Sequence, residues 1–555
     1  MFYRLLLLFC VSLSFAQDSL KLDLLTIRDV NNYYFFEISN LGDPLLFLTP
    51  LEDDKEIVLD HIGSKVRQSD YFYHIKHLDT DTIYSHVMYQ GAYEEGGIIE
   101  TCLIRPIGKN LKLNFTYNNL SSLGFYINQK NQNSYLNFKI NYNSLNNPFS
   151  YYFLFSSNNG FYNQNGGLRQ YDSSVDQNLM LTHLNAESYV KNRKIELSHS
   201  YTFRPELNFT YTVSFNSFKR SYFDNSPSSY HYDLISYDII SNNSYVDSLS
   251  FKRMINAISI SNKNLYFKIK HSIYKNDHYD LTNSGDIDFL LTSKKKFINN
   301  STMDFLINYC PIGYNKKSFI FDINFYKKIR HNSHMLNFMW SLKRPKLIHN
   351  VYANSDNFNW SDFNYPSTIS VKLQSIFNHH TFKISTIFRH YLNYLYFNDM
   401  MLPTQSDESF FYYNLQLEKT FKLKHISLIS VFCVQKSSDK NSLPVPFFIF
   451  DQRIDYDRLV FSDIRLLSSF HMRLFSKYNI PSYFPLTDVF YHQNHTQTGM
   501  IPLTSISVHL YKKHFSIGFI LDNLHSTFYK GESLVQDYFL SPLILRTSLK
   551  WQFID

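Results

Sequence analysis

Between Lys109 and Leu168 the sequence alternates in a way that leaves few folds open. Leu111-Lys112-Leu113-Asn114-Phe115-Thr116-Tyr117 places apolar or aromatic residues at every second position, and Tyr135-Leu136-Asn137-Phe138-Lys139-Ile140-Asn141-Tyr142 alternates in the same way. Successive side chains of a β-strand point to opposite faces, so each segment has one apolar face and one polar face. The connections also alternate. Ser144 to Pro148 can close a tight turn, whereas Ser121 to Gln132 and Ser157 to Gln177 are long and polar. Short turns at one end and long loops at the other are the pattern of a transmembrane β-barrel.

The alternation continues to the end of the chain. Phe319, Phe321, Ile323 and Phe325 oppose Asp322 and Asn324, and Leu545, Thr547, Leu549, Trp551 and Phe553 oppose Arg546, Ser548, Lys550 and Gln552. Tight turns are expected at Asn192-Arg193-Lys194, Asn262-Lys263-Asn264, Asn299-Asn300, Arg330-His331-Asn332 and Asn378-His379-His380, and long connections at Lys343 to Pro366, Asn398 to Asp407, Gln435 to Pro444 and Asn523 to Ser541. A β-solenoid would need a fixed repeat and usually many glycines; the chain has 15 Gly and no such period. A soluble sandwich of this length would split into modules, and no linker is visible. The expected fold is all-β: a large antiparallel transmembrane barrel with short periplasmic turns and long extracellular loops. At about 20 residues per strand with its connections it has roughly 22 strands, within roughly 16 to 24 and even in number.

Composition agrees. Aromatic residues make up 18% of the chain, with 44 Tyr and 51 Phe against 3 Trp, which suits lipid-facing strands with aromatic girdles. Arg4, the apolar run Leu5 to Phe15 and the small residues Ser14 and Ala16 form a secretory signal peptide, with cleavage before Gln17. Three units follow: residues 1–16 as signal peptide, 17–81 as a periplasmic or lumen-docked extension, and 82–555 as the barrel. The formal charge of +7 falls to +6 once Arg4 is removed. Basicity spread along strands favours anions in the lumen. No basic cluster or motif points to nucleic acid.

Cys102, Cys310 and Cys433 read as single packing residues, since an odd number at wide spacing suggests neither a disulfide framework nor a zinc site. His379-His380 reads as a solvated turn, and Tyr491-His492-Gln493-Asn494-His495 lacks the spacing of a zinc-enzyme motif. No nucleophile elbow, P-loop or dinucleotide fingerprint is present, so no catalytic residue, metal or cofactor is assigned and the chain is read as a non-enzyme.

Four motifs carry a resemblance to a known family. Residues Ser121 to Lys130 contain an S-x-G-x-Y-x-N-Q pattern at Ser122, Gly124, Tyr126, Asn128 and Gln129. Asn165-Gly166-Gly167-Leu168, Tyr89-Gln90-Gly91 and Asn40-Leu41-Gly42-Asp43-Pro44 accompany it in the right order. Together they resemble the putative porin family of Bacteroidetes-type outer membranes, over about the first third of the chain. The resemblance implies an outer-membrane barrel and adds little about substrate.

The functional expectation is a passive or weakly selective diffusion channel for small polar solutes. Its lumen candidates are Lys112, Asn114, Asn137, Lys139, Lys268, Lys270, Lys383, Arg389 and Arg546. The alternatives are a closed-lumen barrel whose loops bind or assemble a partner at the surface, and a barrel hydrolase. Expected partners are outer-membrane lipid and the barrel-assembly machinery, for which Trp551 and Phe553 resemble a C-terminal assembly signal. The last strand is expected to pair with a first strand near Ile83 to Tyr89. The sequence leaves the oligomeric state open.

Overall fold

The computed structural model describes residues 35–50, 83–92, 95–144, 147–176, 179–204, 206–225, 245–276, 285–297, 300–350, 352, 360, 363–461 and 463–554. The signal peptide at 1–16, and all of 17–81 other than 35–50, lie outside the described residues.

Twenty-two antiparallel strands form a closed barrel. It opens with Tyr84–Ala92 and closes with Ile544–Ile554, which pair along their length from Tyr84 with Ile554 to Ala92 with Arg546. The last strand also pairs with Phe515–Asp522, so it has no free edge. Each strand's backbone groups are thereby satisfied by its neighbours, the condition a strand must meet inside hydrocarbon.

At the end where Tyr84 enters and Ile554 leaves, the connections are short. Ile329 to Asn332, His379 to Phe382, Leu423 to Ile426 and Lys512 to Phe515 are two-residue turns. Each begins with a residue at positive φ: Arg330 (52°), His380 (44°), Lys424 (31°) and Lys513 (49°). This backbone matches the right-handed twist of the strands it joins. At the opposite end most connections are longer, as from Phe475 to Leu503 and from Lys343 to Thr368, though Ala92 to Gly96 is short.

One expected turn is absent. Asn192-Arg193-Lys194 lies within the strand Ala186–Arg204, which runs on to a short connection ahead of Leu207. The polar run looked like a turn because its outward residue is charged. The strand instead rises past the apolar belt, where an outward charge is solvated and the β-ladder continues unbroken.

The two faces of the wall differ sharply. Outward positions carry Val87, Leu336, Leu373, Leu415 and Leu549, all exposed. Inward positions carry His86, Asn114, Asn118, Asn133, Asn324 and Asn337, all buried. A contiguous exposed apolar belt of this kind is what a lipid-facing surface requires. Phe138 and Phe321 lie on the outward side, each against another outward ring, Phe153 and Phe338. Lysine at either position is expected to cost about 2–4 kcal/mol near the membrane midplane, read by denaturant unfolding of the refolded barrel. Glutamine in place of inward Lys139 is expected to change stability little. Equal losses at both faces would reject the register.

Cys310 and Cys433 are buried, and Cys102, Cys310 and Cys433 are all free thiols. Among the described residues no helix is long and apolar enough to cross a membrane.

Candidate functional site

The candidate site is the lumen together with what closes its loop end. All nine sequence-selected residues occupy inward positions of their strands. Lys112 and Asn114 share that face with Thr116, and across the ladder Asn114 is opposite Lys139 while Thr116 is opposite Asn137. Lys268 and Lys270 alternate with outward Ile269, and Lys383 and Arg389 with outward Phe388.

Several of these cations have partners. Lys270 Nζ is 3.0 Å from Asp288 and Lys383 Nζ is 3.8 Å from Glu418. Arg546 bonds Glu95 at 2.7 Å and Asp522 at 3.1 Å. Arg389 donates to the Tyr391 hydroxyl, and Lys139 lies over the ring of Tyr152. Neighbouring carboxylates locally cancel the charge on which an anion-favouring lumen would depend. Asn137 is buried and donates to the Tyr135 hydroxyl, so it belongs to a packed wall and not to open water.

At the loop end, described residues of the N-terminal segment and the loops pack together. A small hairpin, Phe35–Glu37 paired with Leu45–Phe47, lies inside the barrel mouth. Its Phe36, Ile38, Leu46 and Leu48 enter one apolar cluster with inward wall residues Cys433, Ile449 and Phe475 and with loop residues including Tyr478, Tyr483 and Tyr538. Phe36 stacks on Phe475. A second cluster brings four loops together through Leu184, Trp360, Phe397 and Phe484. The long loops therefore fold inward over the mouth and pack on one another.

The hairpin is also bonded by its backbone. Arg473 donates to the carbonyl of Phe35 at 2.8 Å and Gln435 to that of Leu48 at 2.7 Å. Its tip is Asn40-Leu41-Gly42-Asp43-Pro44. Asn40 donates to the Gln129 carbonyl at 2.7 Å and accepts from the Ser122 hydroxyl at 2.7 Å. Asn131 donates to Asp43 at 2.7 Å, and Gln129 to the Ser39 hydroxyl at 2.8 Å. Gly42 has φ 86°, and a Cβ there would lie 2.9 Å from Leu120 Cδ2. Only glycine meets both the left-handed turn and the close approach.

Two of the sequence motifs are therefore halves of one contact. The loop motif holds its own shape through Gln129 Oε1, which accepts from the backbone N–H groups of Phe125 and Tyr126. It then presents Ser122 and Gln129 to the hairpin tip. A third motif adjoins it, with Asn165 donating to the Ile127 carbonyl at 3.5 Å.

Glu37 lies beneath this tip. Burial pushes its carboxyl up to about 8, outweighing the Gly42 N–H that it accepts and the charge of Arg546; Asp43 and Glu95 add to the rise. Burial likewise raises Glu95, against the pull of Arg546.

Among the described residues the histidines do not assemble into a centre. His379 and His380 flank a turn, where the His380 ring stacks on His331. The half-buried His492 stacks on Tyr396, and desolvation holds its imidazole down at about 4. Among the described residues no group of three His, Cys, Asp or Glu side chains is placed to hold a metal ion.

The profile of the putative porin family matches residues 24–555. The chain belongs to the putative porin family. That match takes in the hairpin, its loop partner and every barrel strand. A search of curated proteins finds no match. Among solved structures this porin-family barrel is similar to a point mutant of the ferric enterobactin receptor of Pseudomonas aeruginosa. The TM-score is 0.61 at 12% identity, over 85% of this chain and 81% of that one. It is also similar to the siderophore receptor PirA of Acinetobacter baumannii, with TM-score 0.61 at 10% identity, over 85% and 81%. BauA, the ferric preacinetobactin receptor of the same species, has TM-score 0.55 at 10% identity, over 85% and 80%. At these identities the likeness is one of fold alone.

Proposed function

We propose that this porin-family barrel lies in the bacterial outer membrane and passes small polar solutes through its lumen. In the state described here the loop end is closed by the hairpin at residues 35–48 and the infolded loops. The observation that supports this reading is the division of the wall: polar and charged side chains line the inside, while Phe36, Ile38, Leu46 and Leu48 of the hairpin pack on wall and loop residues at the mouth. The described part of the extension, residues 35–50, then acts as a lumen-docked resident plug.

The closed-lumen alternative draws support from the same packed mouth, since a sealed barrel with ordered loops could serve to bind a partner at the surface. Conductance in planar bilayers separates the two. A channel gives infrequent openings that become frequent when the hairpin is disturbed, and a surface-binding barrel gives none in either case. For placement, the mature chain is expected to begin at Gln17 and to fractionate with the outer membrane. Recovery as a soluble periplasmic protein would sink that part of the reading.

Glu37 supplies a pH signature. Its carboxyl ordinarily titrates near 4.5 and is raised to about 8 when the hairpin is docked. Within that window the docked hairpin keeps a proton that the undocked one releases, so docking is strongest below 4.5 and weakens as pH rises to about 8. The groups facing Glu37 are Asp43 on the hairpin, Glu95, and Arg546 on the last strand, itself paired with Asp522. Open probability is expected to rise across this window in the wild type and to stay flat in Glu37→Gln. The same rise in Glu37→Gln would assign the effect to another group.

A further inference from the structure

The strands Ala186–Arg204, Leu207–Asp224, Tyr245–Ser261 and Leu265–Asn276 carry five outward cations in two adjacent rows. Arg193 lies opposite Ser217, which lies opposite Lys252, which lies opposite Lys275. One step nearer the loops, Lys191 lies opposite Lys219. All five are exposed. One step nearer the barrel waist the same register reads Phe155, Ile195, Phe215, Met254 and Ile273, an unbroken apolar row. The change from apolar belt to cationic rim takes a single step of the pleat, on the loop side of the membrane.

Two of the contacts are like-charge pairs directly opposed across the ladder, Lys191 with Lys219 and Lys252 with Lys275. Such pairs destabilise a sheet unless an anion lies between them. Among the described residues no carboxylate forms an ion pair with any of the five. The nearest outward acid on these strands, Glu187, accepts instead from the Tyr189 hydroxyl. The patch covers four adjacent strands, roughly 14 Å across at about 4.8 Å per strand. Outward cations at the turn end, such as Lys295, Lys327 and Lys419, stand on separated strands.

We infer that this patch binds the phosphate groups of a lipid headgroup in the outer leaflet. The lipid's acyl chains lie on the apolar row beneath, and its phosphates bridge Lys252, Lys275, Lys219 and Arg193. The four features agree: height at the edge of the belt, outward aim, like charges opposed across the ladder and an apolar floor. The inference rests on the outer-membrane placement proposed above, with the long loops outside.

The test uses the full-length refolded barrel in zwitterionic detergent, titrated calorimetrically with diphosphoryl lipid A. The variant is Lys219→Gln, Lys252→Gln and Lys275→Gln combined, with Lys295→Gln, Lys327→Gln and Lys419→Gln combined as the control at the other rim. Heat-modifiable migration checks that each folds. The expected result is binding by the wild type and the control, with loss on the order of a hundredfold in the loop-end variant. Equal affinity of the loop-end variant and the wild type would overturn the proposal, as would equal loss in the control. Displacement of the lipid by inorganic phosphate at matched concentration would overturn the assignment to a lipid. Fractionation is scored separately, so a barrel that binds lipid A in micelles but does not reach the outer membrane would fault the placement and not the patch.

Discussion

Deleting residues 35–48 is expected to convert a barrel that opens rarely into one that conducts most of the time. Phe36, Ile38, Leu46 and Leu48 are buried or nearly so in the cluster at the mouth. Burying side chains of this size stabilises by about 1.5–3 kcal/mol each, before the entropy of ordering the hairpin is subtracted. Even a small surplus of about 3 kcal/mol holds the mouth open less than about one part in a hundred of the time. Removing the hairpin removes that bias, together with the hydrogen bonds that Arg473 and Gln435 donate to its backbone. Mean conductance per reconstituted molecule should then rise on the order of a hundredfold. Phe36→Ala combined with Asn40→Ala should give an intermediate rise, since it removes one ring stack and the paired contacts to Ser122 and Gln129. A correctly folded deletion with wild-type conductance would show that the loops alone close the mouth, and the plug assignment would fall.

The barrel was legible in the sequence because its determinants are local. Alternation such as Leu111 to Tyr117 states which side chain meets lipid, and that choice fixes the register of a strand buried on one face. Strand number followed from length. The N-terminal motif was visible too, but its purpose was not. Asn40-Leu41-Gly42-Asp43-Pro44 reads as a turn in any context, and its partners Ser122, Gln129 and Asn131 lie more than eighty positions away. Nothing local says that two polar turns will bond to each other inside a lumen. The same limit applies to the lumen cations. Lys270 and Arg546 could be placed on the inward face by parity, but Asp288 and Glu95 reach them across neighbouring strands or from a connection. The misread turn at Asn192-Arg193-Lys194 has a related cause. Alternation marks a membrane strand only while its outer face is apolar, and this strand continues beyond that belt.

Loss of residues 545–555 is expected to abolish insertion into the outer membrane altogether. The strand Ile544–Ile554 is bonded on both sides, to Phe515–Asp522 and to Tyr84–Ala92, so its removal leaves two unpaired edges where the barrel closed. Inside hydrocarbon each unpaired backbone group costs several kcal/mol, and the two edges run in the same direction, so they cannot restore the antiparallel closure. Arg546 is removed as well, which strands Glu95 and Asp522 without their cation and takes away the positive neighbour of Glu37. Trp551 and Phe553 face outward and stack at 5.2 Å, at the rim where the chain leaves the barrel. There they can serve as interfacial anchors and, we propose, as the aromatic signal read by the assembly machinery. The two roles separate by substitution. Trp551→Ala with Phe553→Ala keeps every backbone pair, so it should refold in detergent at near-normal yield yet insert poorly in cells. Trimming only residues 554 and 555 should be tolerated, because the pairing of Phe553 with Ser85 is retained. The measurement is heat-modifiable migration of outer-membrane fractions. Normal migration of the 545–555 deletion would refute the requirement for closure, and normal insertion of the double alanine variant would remove the aromatic pair from the assembly signal.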